Sequence, residues 1–218
     1  MELDLAGATV ILLGVGDELD RVVLRTLASE GAWTYATKPS ASTADLTQQC
    51  GSSSHWVSVE DHLTLSTVTR IEDFLLERGR PATTIVLHLD VVAMAATQGP
   101  LRWWRLQSEA KRVLRSATEI LSTTAPAHGQ SLLLLYQLHD HSELARASRW
   151  LRRTVAAVAR RAGAGARVNG ILVGPGDVDP NAAAMIAVFC SPVSERITGA
   201  LIPMDDGELV RDHLSLGA

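Results

Sequence analysis

The chain has 218 residues, 46% of them apolar, with 20 Lys and Arg against 24 Asp and Glu for a formal net charge of −4. That length suits one large domain or two small ones with a real buried core, and the mild negative charge lacks the electrostatic footprint of a nucleic-acid binder. Two cysteines, Cys50 and Cys190, cannot build a disulfide framework, and no apolar run approaches the ~18 residues that span a bilayer.

The opening Met1-Glu2-Leu3-Asp4 is acidic where a secretory signal is basic, so a cytoplasmic protein is expected. Residues 9–13 predict a buried strand, and Gly14-Val15-Gly16 a turn. A helix follows, with Leu19, Val22, Val23, Leu27 and Ala28 on one face and Gly31 stopping it. Residues 33–37 predict a second strand, 40–54 a polar loop, 57–59 a short strand and 63–76 a helix. Further strands are expected over 84–89, 131–138, 168–173 and 199–202, with helices over 106–121 and 143–162. Strands alternating with helices of this length imply a parallel sheet covered on both faces. The expected fold is a single Rossmann-like, doubly wound α/β domain over residues 1–218. In such sheets a ligand sits beyond the carboxyl ends of the strands, where the strand order reverses.

Three stretches resemble the short-chain dehydrogenase/reductase family. Leu5-Ala6-Gly7 through Gly14 to Ala28-Ser29-Glu30-Gly31-Ala32 is similar to its first strand, turn and helix. Arg167-Val168-Asn169 followed by Gly174-Pro175-Gly176 resembles its penultimate strand and the loop behind it. Phe189-Cys190-Ser191 through Ile197-Thr198-Gly199 to Pro203-Met204-Asp205-Asp206-Gly207 is similar to its last strand. Together they follow the family's order over most of the chain.

The functional positions depart from that pattern. The family's phosphate-binding turn reads Gly-x-x-x-Gly-x-Gly, which lets the backbone approach a pyrophosphate at a helix N-terminus. Gly14 matches the first glycine, but Glu18 and Asp20 stand at the other two positions, Gly16 lies between, and Asp17 adds a third carboxylate. Like charges near 4 Å at an effective dielectric of ~20 repel by roughly 4 kcal/mol before relaxation. Carboxylates in a first helical turn instead complement the helix dipole, each worth ~0.3–1 kcal/mol.

Catalysis in the family needs Tyr-x-x-x-Lys, in which the lysine lowers the tyrosine pKa. Four residues beyond Tyr35 and Tyr136 stand Pro39 and Asp140, and the matching positions counted back from Arg167 fall near Glu143 and Ala147. Where the family's Asn-Asn-Ala-Gly stretch lines the cofactor, this chain reads His88-Leu89-Asp90-Val91. The helical lid that follows Gly174-Pro175-Gly176 in active members is expected to be deleted. The expected site is therefore a degenerate remnant, Gly14, Gly16, Glu18 and Asp20, with no catalytic residue and no cofactor bound by this chain.

Other candidates are weaker. His139-Asp140-His141 is the densest metal-like cluster, but neighbours on an extended chain point in opposite directions and no third ligand is identifiable, so no metal site is expected. Lys38 follows the second strand, where family members read the ribose. Cys50 and Cys190 read as structural, Trp103 and Trp104 as core or interface, and Tyr136 as a packed residue.

The helix over 143–162 carries Leu144, Leu151, Val155 and Val158 as an apolar stripe, with Trp150 beside it. Seven arginines (146, 149, 152, 153, 160, 161 and 167) against Glu143 give residues 143–167 a net charge of +6. Lys111, Arg112 and Arg115 add to the preceding helix. The resemblance implies that the helices near 106–121 and 143–162 form the main dimer interface, either with a second copy or, given the charge, with a different chain. Some members of the family pair a degenerate chain with an active one. The expected function is thus a non-catalytic subunit that stabilises an active oxidoreductase holding NAD(P). Two alternatives stay open: a divergent NAD(P)-dependent oxidoreductase acting on a carbonyl or alcohol, with Lys38 favouring NADP, and a ligand-sensing module.

Overall fold

The structure, a computed structural model, describes residues 3, 5–13, 18–38, 54–58, 73–80, 82–89, 130–138, 141, 144–162, 166–175 and 180–204. In chain order these form β1 (Thr9–Leu13), α1 (Glu18–Ser29), β2 (Trp33–Lys38), β3 (Ser54–Ser58), β4 (Thr84–His88), β5 (Ser131–Gln137), α2 (Leu144–Ala162), β6 (Arg167–Val173), α3 (Pro180–Cys190) and β7 (Leu201–Met204). A helical turn covers residues 73–77, and a 3₁₀ turn, Pro192–Ser194, follows α3. The seven strands make one sheet in the order β3-β2-β1-β4-β5-β6-β7, and every pairing is parallel. This is the doubly wound Rossmann-like architecture expected from the alternation of strands and helices.

Parallel strands covered on both sides have no solvent face, so their sequences are apolar without a break. Side-chain alternation then divides each strand between two cores. Ile11 and Leu13 of β1, Ile85 and Leu87 of β4, and Leu132, Leu134 and Tyr136 of β5 join the core under α2, together with Leu75. Val10, Leu12, Val86, Leu133 and Leu135 face the other way, into the core under α1 and α3. The amphipathic stripe of α2 is Leu144, Ala147, Ser148, Leu151, Val155 and Val158, all buried. α3 is apolar nearly all round, and it packs against α1 and over β5 and β6.

Two glycines fix close features. Gly31, at φ 87°, lets the chain turn off α1, and the Ala32 N–H donates back to the Leu27 carbonyl at 3.0 Å. Gly170 in β6 lets α2 approach: a Cβ there would stand 2.7 Å from Val155 Cγ2 and 3.1 Å from Leu201 Cδ1.

Two strands lie elsewhere than their apolar runs predict. β3 is Ser54–Ser58 rather than 57–59, and it takes in Ser54, which the polar composition assigns to a loop. It is an edge strand paired only with β2, and an edge tolerates the serines and histidine that hide it from a hydrophobicity pattern. β7 is Leu201–Met204 rather than 199–202. Gly199 adopts φ 76° and belongs to the turn before the strand, while Pro203 is accommodated because β7 closes the sheet. The predicted helix over 106–121 lies outside the described residues, as does residues 63–72 of the helix predicted over 63–76.

The connection from β6 to α3 consists of residues 174–179 alone, so the segment that would carry a helical lid is missing from the chain. The turn into β7 is held by side chains. Buried Asn169 donates from Nδ2 to the Ile197 carbonyl at 2.8 Å and accepts from the Ala200 N–H at 3.1 Å. Among the described residues no helix is long and apolar enough to cross a membrane.

Candidate functional site

From β1 the chain winds outward through β2 to β3, then crosses back to place β4 on the other side of β1. The carboxyl ends of β1 and β4 are therefore the topological switch point, where doubly wound sheets place their ligands. α1 begins here at Glu18, with the unsatisfied N–H groups and positive dipole end of a helix N-terminus.

Asp20 is the third residue of α1, and it is fully buried. His88 is the last residue of β4. By strand alternation Val86 faces α1, Leu87 faces α2, and His88 faces α1 again. Its Nδ1 shares a hydrogen bond of 2.9 Å with Asp20 Oδ1, with side-chain exposures of 2% and 0%. When Asp20 is ionised it can only accept, and the bonding proton then sits on the histidine Nδ1. A carboxylate withdrawn from water costs several kcal/mol unless it is paired, and His88 provides such a pairing from the adjoining strand.

The sequence singles out Asp20 as a carboxylate in a first helical turn, and the structure adds a partner across the sheet. His88 was visible as a departure from the family pattern but not as that partner. The available signal was one polar ionisable residue closing the apolar run Thr84–His88, opposite an acid on the next layer. Glu18 opens α1, as expected. Gly14, Gly16 and Asp17 lie outside the described residues, as do Cys50, Asp90, Trp103, Trp104, Lys111, His139, Asp140 and Glu143.

The remaining candidates do not contact the Asp20–His88 pair in any described bond. Tyr136 is buried on the α2 face, one residue beyond Leu135, which is the strand partner of His88. Its ring packs on Trp150 with centroids 5.6 Å apart. Ala147, at the place of the family's lysine, is buried against the same core. Lys38 ends β2. His141 is exposed, and the described residues hold no group of three or more His, Cys, Asp or Glu that could bind a metal.

Cys190, at the end of α3, is buried, and burial pushes its thiol up to about 12, with Arg167 pulling the other way. Such a thiol is inert at neutral pH. Partial burial draws the Arg167 guanidinium below its ordinary value, while Glu195 and Cys190 act in the opposite direction. Arg167 donates to Ser194 Oγ at 3.0 Å, and the single Ser194 hydroxyl proton has the Phe189 and Ser191 carbonyls as alternative acceptors. The stretch Arg167-Val168-Asn169 is thus a structural clip for the chain between α3 and β7.

The fold is that of the short-chain dehydrogenases and reductases. A short-chain dehydrogenase/reductase from Brucella melitensis, described as a glucose/ribitol dehydrogenase, superposes with a TM-score of 0.71 at 17% identity, covering 95% of this chain and 98% of its own. A short-chain dehydrogenase from Leptospira borgpetersenii with bound NAD+ gives 0.68 at 12% identity, covering 94% and 93%. An NADH-dependent reductase complexed with NAD gives 0.72 at 16%, covering 95% and 99%. No sequence-family model matches the chain, and no curated protein matches it.

Proposed function

We propose that this chain is a non-catalytic subunit with the short-chain dehydrogenase/reductase fold, which pairs in the cytoplasm with a catalytically active oxidoreductase of that fold and stabilises it. The observation that carries this reading is the buried Asp20–His88 pair. Both residues stand at positions that the resemblance gives to cofactor contact, and here they bond to each other. A dinucleotide does not fit them: Asp20 brings a Cβ, a carboxylate and a negative charge to the place of a glycine beside a pyrophosphate. The absence of a helical lid between β6 and α3, and a buried alanine at Ala147 where a lysine would tune a tyrosine, support the same reading. NAD(P) belongs to the active partner, and the exposed side of α2 is the surface that meets it.

Isothermal titration of the purified chain with NADH and with NADPH tests the proposal. No binding heat at about 1 mM cofactor, equivalent to an affinity weaker than ~4 kcal/mol, is the expected result. Micromolar binding accompanied by turnover of a carbonyl or alcohol substrate would overturn it.

That outcome would instead establish the second reading, a divergent NAD(P)-dependent oxidoreductase. Its support is the overall fold, shared with structures that hold NAD. It requires a proton donor other than a Tyr-x-x-x-Lys pair, and a saturating cofactor would then raise the unfolding free energy by several kcal/mol.

A further inference from the structure

The outward side of α2 is the most strongly charged surface among the described residues. Arg146, Arg149, Arg152, Arg153, Arg160 and Arg161 are all exposed, and the helix Leu144–Ala162 contains no Asp or Glu. At 100° per residue these six span about half of the helix circumference, opposite the buried stripe centred on Leu151 and Val155. Ala145, Ala156 and Ala157 lie among them, so short side chains separate the guanidinium groups.

We propose that this face docks an acidic, helical surface of a different protein chain, and that its charge rejects the same face of a second copy of this one. The proposal rests on the partner reading above and specifies the chemistry of that partner. A two-fold self-contact across α2 would bring like-charged patches together, since a symmetric interface sets the same surface against itself. Every cation on the helix is an arginine, whose planar fork matches a carboxylate with two parallel hydrogen bonds. The net charge of −4 for the chain and +6 for residues 143–167 leave −10 for the rest. A long polyanion such as duplex DNA would be repelled by that remainder, whereas a carboxylate-bearing helix matched to α2 engages the basic face alone.

The charge-reversed variant R149E/R152E/R153E serves as the acidic probe, since it presents the same helix with complementary sign. Sedimentation velocity is recorded for the full-length chain, for the variant, and for their equimolar mixture, at about 50 mM and about 500 mM salt. Circular dichroism confirms that the variant is folded, and R160E/R161E provides a second probe at the other end of the helix should the first fail to fold.

The expected result is no self-association of the wild-type chain through this face, together with a one-to-one complex in the mixture at low salt. That complex should weaken at least about tenfold at high salt. A wild-type dimer that the charge reversal abolishes would overturn the proposal, and so would a mixture that forms no complex. Binding of a DNA duplex or of anionic phospholipid vesicles by the wild type at about 150 mM salt, lost in the variant, would assign the face to a polyanion and also overturn it. These failures are distinct from failure of the non-catalytic reading, which registers as cofactor binding.

Discussion

The hydrogen bond between His88 and Asp20 helps to hold both side chains in the interior. His88→Ala removes one partner of a buried carboxyl group and is expected to lower the unfolding free energy by about 1–3 kcal/mol. Replacing both residues with apolar ones, as in D20L/H88F, should cost much less than the sum of the single changes, and urea unfolding of the wild type, D20L, H88F and the double variant measures the coupling. At Cys190 the thiol is held up to about 12 against 9.0 for an unperturbed group. A raised folded pKa makes stability complete below the unfolded value and lost as pH rises, so Cys190 erodes stability between pH 9 and about 12. At pH 10 its share is on the order of 1 kcal/mol, and the wild-type curve should fall relative to Cys190→Ala by roughly that amount between pH 8 and 10. Asp20 was legible in the sequence as an intruder at a glycine position. Its partner was not, because Asp20 and His88 are 68 residues apart and only the crossover from β3 to β4 brings them together.

At the scale of elements, the seat of α2 on β6 depends on a missing side chain. Gly170→Ala drives a methyl toward Val155 Cγ2, and Val155 is β-branched and stiff in a helix. The substitution should cost about 1–3 kcal/mol, and the double variant G170A/V155A should recover part of it in chemical denaturation. Strands with both neighbours present were readable from their mostly apolar sequences: β1, β4, β5 and β6 fall within a residue or two of their predicted ends. The two strands that lie elsewhere than predicted, β3 and β7, are the sheet's edges. An edge strand has a strand neighbour on one side alone, so serine, histidine and proline enter and the pattern blurs. The side-chain clip at Asn169 sets where β7 begins, and that is a contact between residues 28 and 31 positions apart.

At the scale of the whole molecule, the described residues form two cores with one sheet between them, and every central strand contributes to both. Loss of either core exposes the other, so unfolding should be a single cooperative event. Tryptophan fluorescence, which includes Trp33 beneath the Arg80 guanidinium at 3.4 Å, and far-ultraviolet circular dichroism should give coincident urea transitions. Separate midpoints would mean two independently folding units. The fold class was legible because alternating strands and helices admit few arrangements. The sign of the α2 surface was legible too, since it follows from six arginines on one side of a helix.

The pairing of Asp20 with His88 also couples two positions that stand 68 residues apart in the sequence. A glycine at position 20 takes away the carboxyl group that the imidazole bonds, and an asparagine at position 88 takes away the imidazole. Each single exchange thus passes through a less stable protein, and the two positions can be exchanged safely only together. Such a pair resists change by single steps.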